Sequence, residues 1–142
     1  MKKITSLFIA LLFVCNANSQ TSREDLSKEL NKPNVKIEAV VSSLAENFNK
    51  NKEKLSVADV ILVGATDAKR HINLNYQITA KINKSNLDKS IPKFKEMVLT
   101  QTCELALVYV LMKEHKVTLK YWWFDKDMKQ LFVFDMDGNS CK

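Results

Sequence analysis

The chain holds 142 residues, 46% of them hydrophobic and 27% charged, with 22 basic residues against 16 acidic. The length leaves room for one modest core but not for two. The basic surplus is scattered, without an arginine-rich stripe or an aromatic-basic cluster, so nucleic acid is excluded as the expected partner.

In chain order, Met1-Lys2-Lys3 opens with two positive charges and Ile4 to Val14 carries none. A helix of that length rises only about 16 Å, roughly half of a bilayer's hydrocarbon core, so the run does not span a membrane. A basic start, a short apolar centre and small residues after it predict a secretory signal peptide over residues 1–19. Cleavage after Ala17 or after Ser19 satisfies the small-x-small rule. Cys15 offers a second reading, the acylated cysteine of a lipoprotein, but Phe13-Val14 stand where such signals carry a small residue. Contact with a membrane is expected only if Cys15 is acylated. The predicted location is periplasmic or secreted, and residues 20–142 form the single domain.

Losing Lys2 and Lys3 leaves 20 basic residues against 16 acidic, a net charge of +4. Of the three cysteines, cleavage removes Cys15 and leaves Cys103 and Cys141. Two cysteines in an oxidising compartment are most simply one disulfide; two unpaired buried thiols are the alternative. The bridge would contribute about 3 kcal/mol by restricting the unfolded chain.

Residues 20–33 are polar and read as a flexible, fraying start, although Leu26 and Leu30 suit one side of a short helix. Ile37, Val40, Val41, Leu44 and Phe48 then make one helical stripe, predicting a helix from about Asn34 to Asn49. Val57 to Thr66 is apolar and β-branched, a strand expected to be buried on both faces. Asp67 to Arg70 reads as a turn. His71 to Ile82 alternates strictly, with Ile72, Leu74, Tyr76, Ile78, Ala80 and Ile82 on one face. Asn83 to Lys89 reads as a loop, and Ser90 as the cap of a helix with Pro92 in its first turn. That helix, or two with a bend near Thr102-Cys103, runs to about His115. Val117 to Phe124 and Gln130 to Met136 are strands joined by the turn Asp125 to Lys129. The order α-β-β-α(α)-β-β predicts an α+β two-layer sandwich, an antiparallel four-stranded sheet with helices on one face.

No arrangement of catalytic or metal-binding residues stands out, and no cofactor is expected. The two histidines, His71 and His115, have no partner at metal-ligand spacing. The only glycines are Gly64 and Gly138, too few for a phosphate-cradling loop, and Gly-x-Ser-x-Gly is absent. Asp135-x-Asp137-Gly138-Asn139 resembles the start of a calcium loop, but no later glutamate completes it. The aromatic residues are more suggestive. In Tyr121-Trp122-Trp123-Phe124 alternate side chains face opposite ways. Trp122, Phe124, Phe132 and Phe134 are the predicted partner-binding group, on a sheet face that the helices leave open. The alternative is that both faces are covered.

From Phe94 to Cys141 the chain has a helix bearing a cysteine, a second helical stretch, a hairpin with an aromatic first strand, an Asp-rich turn and a closing cysteine. With the preceding hairpin in the same order, this resembles the small disulfide-bonded α/β pilotins of type II secretion. Those are lipoproteins that help the outer-membrane secretin reach its membrane. The resemblance implies a Cys103–Cys141 bridge, a non-enzymatic role and a protein partner. Two features depart from it: the signal lacks a small residue before Cys15, and Glu104-Leu105 stand where a proline often follows the helix cysteine.

The expected function is therefore an exported binding protein, a pilotin-like accessory of a secretion or envelope complex. An inhibitor or immunity protein that blocks an envelope enzyme or toxin is the alternative. Intact-mass measurement of the exported protein should show a chain beginning at Asn18 or Gln20. Diacylglycerol on Cys15 would move the protein to a membrane surface, and retained Met1 would remove the case for export.

Overall fold

The computed structural model describes residues 21–56 and 59–142. The leader predicted over residues 1–19, with Cys15, and the first two residues of the strand expected from Val57 lie outside the described residues. The elements in chain order are helices α1 (Arg23–Leu30) and α2 (Ile37–Lys50), strands β1 (Val60–Ala68) and β2 (His71–Ile78), helices α3 (Lys84–Glu104) and α4 (Ala106–His115), and strands β3 (Thr118–Phe124) and β4 (Gln130–Met136). The strands form one sheet in the spatial order β1-β2-β3-β4.

The α+β class holds, but the sheet is mixed where an antiparallel one was expected. Each hairpin is antiparallel, whereas β2 and β3 pair in parallel, from His71 beside Thr118 to Gln77 beside Phe124. The helices between them explain this. A 21-residue α3 rises about 31 Å, longer than any strand here, and carries the chain back across the sheet. After α4 the chain re-enters beside the start of β2, where the Thr118 amide donates to the Arg70 carbonyl at 2.9 Å. Starting at the same end as β2, β3 has to run parallel to it.

Local differences have local causes. The start expected to fray holds α1, whose Leu26 and Leu30 are buried. Ser22 caps it by accepting the Asp25 amide, and Ser27 donates to Glu114 on α4 at 2.6 Å. Helix α3 begins before Ser90 because the Asn83 side chain accepts the Ser85 amide and supplies an earlier cap. Pro92 therefore lies inside the helix, not in its first turn. Strand β2 stops at Ile78, one residue before the last rung among the described residues, Thr79 amide to Asp59 carbonyl at 2.8 Å. The bend expected near Thr102-Cys103 falls at Leu105, whose extended backbone separates α3 from α4.

The described helices all cover one face of the sheet. Helix α2 buries Ile37, Val40, Val41 and Leu44, the stripe read from the sequence, against a layer that includes Leu62, Ile72 and Leu74. A stripe of this kind stabilises mainly by removing apolar area from water, about 25 cal/mol per Å². Strand β1, expected to be buried on both faces, is buried on one: Leu62 and Ala65 point inward, Ile61 and Val63 outward.

The C-terminus is held in two ways, and a third contact braces the α3–α4 junction it meets. Cys103, near the end of α3, is bonded to Cys141, with Cα atoms 5.6 Å apart. Gly138 passes so close to α4 that a Cβ there would stand 2.7 Å from the Met112 carbonyl oxygen. Arg23 donates to the Cys103 carbonyl at 2.8 Å while its guanidinium lies 3.7 Å from the Tyr109 ring centre. Cys103→Ser should lower stability by about 2–5 kcal/mol in urea unfolding. Non-reducing peptide mapping should join the Cys103 and Cys141 peptides; two freely alkylated thiols in exported protein would contradict the bridge.

Candidate partner-binding surface

The register of the second hairpin decides which aromatic residues share a face. Tyr121 stands opposite Phe134 and Trp123 opposite Phe132, while Lys120 faces Asp135 and Trp122 faces Val133. Opposed residues of an antiparallel pair project to the same side of the sheet. Trp122 and Phe124 therefore lie on the open face, and Phe132 and Phe134 on the face covered by helices. The predicted group of four does not form one surface. The sequence shows alternation within each strand but not which pairs of residues the turn brings opposite each other.

On the covered face the rings form a continuous layer. Tyr76 stacks on Trp123 at 4.9 Å, Trp123 on Phe132 at 5.4 Å and Tyr121 on Phe134 at 5.1 Å between ring centres. Phe94 of α3 closes over Trp123 at 5.9 Å. Trp123 is only 2% exposed. The Tyr121 hydroxyl meets Thr102 Oγ1 at 2.8 Å, and burial holds that phenol far above its ordinary pKa despite the hydrogen bond. These rings are core.

The open face is different in chemistry. Trp122 is half-buried; its Nε1 donates to Asn73 Oδ1 at 3.3 Å, and Lys120 Nζ lies 5.5 Å from the ring centre. Lys120 also reaches Asp135 at 3.5 Å. Along β2 the side chains are Asn73, Asn75 and Gln77, flanked by the exposed Ile61 and Val63 on β1 and Val133 on β4. Such a face offers carboxamides for hydrogen bonding and scattered apolar area for burial. Ile61, Val63 and Val133 were not singled out from the sequence. With helices on one face only, the other side of an apolar strand is left to solvent, and that was the available signal.

A cleft of about 450 Å³ lies at the far end of the sheet, with Lys81, Asp88, Asp125, Lys126, Asp127 and Lys129 among its lining residues. Asp125 Oδ1 is already engaged by the Asp127 and Lys129 amides at 2.9 and 2.8 Å, so it serves the turn. Among the described residues no three His, Cys, Asp or Glu side chains converge as metal donors, and no helix is long and apolar enough to cross a membrane.

Two solved structures share this fold. A Pseudomonas aeruginosa chain described as a candidate secreted protein aligns with a TM-score of 0.55 at 12% identity, covering 75% of this chain and 96% of its own. The pilotin EpsS of the Vibrio vulnificus type 2 secretion system aligns with a TM-score of 0.51, also at 12% identity, covering 84% of this chain and 97% of its own. The chain has a pilotin-like fold. No protein-family model and no curated protein matches the sequence.

His115, at the end of α4, is buried, and its Nε2 has no hydrogen-bond partner among the described residues. Burial pulls the imidazole below its ordinary range; Glu114 opposes this and Arg70 adds to it. The folded state thus favours neutral His115, and the unfolded chain binds its proton first as the pH falls. The stability this group contributes is complete above about pH 6.5 and declines from there toward the folded value. Urea midpoints measured at about pH 7.5 and 5.5 should fall for the native protein and change less for His115→Gln.

Proposed function

We propose that this protein is an exported, non-enzymatic binding protein that holds a protein partner, acting as an accessory of a secretion or envelope complex. The observation that carries this is the fold shared with a type 2 secretion pilotin over 84% of this chain and 97% of the other. The disulfide supports an oxidising compartment and so the predicted leader. The contact surface of this reading is the uncovered sheet face, with Trp122 and Phe124 as aromatic anchors. Aromatic side chains that combine apolar area with a polar edge carry much of the energy in measured interfaces. Lys120 and Asp135 lie beside them and would orient the partner electrostatically.

The adjacent tryptophans test this, because they point to opposite faces. Trp122→Ala should abolish capture of the partner recovered with the exported protein while costing about 1 kcal/mol of stability. Trp123→Ala should destabilise the fold by about 3–5 kcal/mol, since it removes the centre of the aromatic layer. Full capture by a folded Trp122→Ala variant would exclude this face as the contact.

A further inference from the structure

The two edges of the sheet are finished differently. At β1 the Asn49 side chain pairs with both backbone groups of Ala65, accepting its amide and donating to its carbonyl, each at 2.7 Å. Ser56 Oγ accepts the Leu62 amide at 2.9 Å, and the strand is bulged between Leu62 and Gly64. Side chains thus occupy the places a neighbouring strand would take, and a bulge bends the edge away.

Along strand β4 no side chain takes such a place among the described residues, and its one bulge, at Leu131, is confined to the start of the strand. The Thr118 amide bonds toward β2, so by alternation Lys120 and Trp122 also turn their backbone groups to β2, and Leu119, Tyr121 and Trp123 turn theirs to β4. Their partners Met136, Phe134 and Phe132 bond inward. Val133 and Asp135 are left with N–H and C=O groups facing outward, and these have no partner among the described residues. The strand contains no proline, lysine or arginine, and its pairing is regular from Phe132 to Met136. An apolar edge of this kind is a template for another strand.

The charge beside the edge indicates what kind of strand. On the open face Asp135 is already paired with Lys120. On the helix side Lys95 Nζ lies 5.8 Å from the Phe134 ring centre and has no carboxylate partner among the described residues. A two-fold pairing with a second copy would add another Lys95 on that same side, which is repulsive. A segment with apolar residues against Phe132 and Phe134 and a carboxylate near Lys95 is complementary. Resting on the partner-holding reading above, we infer that β4 accepts an extended, acidic and apolar peptide segment of the partner as a fifth strand.

The test is an NMR titration of the isotope-labelled protein with the acetylated heptapeptide Thr-Val-Thr-Glu-Thr-Val-Thr, whose two valines and glutamate share one face of an extended strand, compared with its counterpart carrying lysine in place of glutamate. The glutamate peptide should bind and slow hydrogen exchange at the Val133 and Asp135 amides. Val133→Pro removes one outward N–H while sparing the inward bonds, and should weaken binding about tenfold or more. Lys95→Glu, which touches no backbone bond, should shift preference to the lysine peptide and keeps the test valid if the proline variant fails to fold. The inference is overturned if neither peptide binds, if protection appears away from β4, or if the two edge amides are already protected through a concentration-dependent dimer. Partner capture retained by Val133→Pro but lost in Trp122→Ala would remove the edge assignment while leaving the partner-holding reading in place.

Discussion

The fold depends on the seam between β2 and β3, and Arg70 joins several elements there. Its carbonyl accepts the Thr118 amide, the hydrogen bond that starts β3 beside β2. Its guanidinium donates to the His115 carbonyl at the end of α4 and to Glu38 on α2, both at 2.9 Å. The carbonyl of a last helical turn lacks an intrahelical partner, so a cation placed there satisfies it and complements the dipole. One residue in the first hairpin's turn thus links both hairpins and the helices packed on each half of the sheet. Hairpins alone are marginal in water; joined through this seam they share one hydrophobic face.

One-sided covering follows from that arrangement. The crossover returns on the same side that α1 and α2 occupy, so every large apolar stripe is buried against one face. The other face keeps carboxamides, an ion pair and single apolar side chains, a composition that is stable in water and available for contact. The disulfide and the close approach of Gly138 to α4 then hold the closing residues against the α3–α4 junction, and Arg23 ties α1 to the same junction. Restraint is concentrated at that end of the molecule, while β4 is bonded to a neighbouring strand on one side only.

Side chains at the two sheet edges show how local composition is converted into selectivity. Asn49 reads as an unremarkable polar residue at the end of a helix, yet in the fold its carboxamide takes the place of a strand neighbour for Ala65. No comparable side chain reaches Val133 or Asp135 among the described residues. A protein that holds an extended segment needs one closed edge and one open edge, because two open edges favour self-association. The fold shared with a type 2 secretion pilotin is silent on that chemistry.

By itself the sequence determined the period of α2, β2 and β3 and hence their inward sides. The α2 stripe, the alternation in β2, the aromatic β3 strand and the pairing of Cys103 with Cys141 were all legible, because each depends on spacing along the chain or on cysteine number. The direction of β3 was not, since it depends on where α3 and α4 deliver the chain in space. Neither was the division of Trp122 and Phe124 from Phe132 and Phe134, which depends on the register across the turn. The packed α1 was hidden because Leu26 and Leu30 acquire a core only from α4, far along the chain. Periodicity is a local property and could be read; strand direction, register and edge protection are relations between distant segments, and only the tertiary structure decided them.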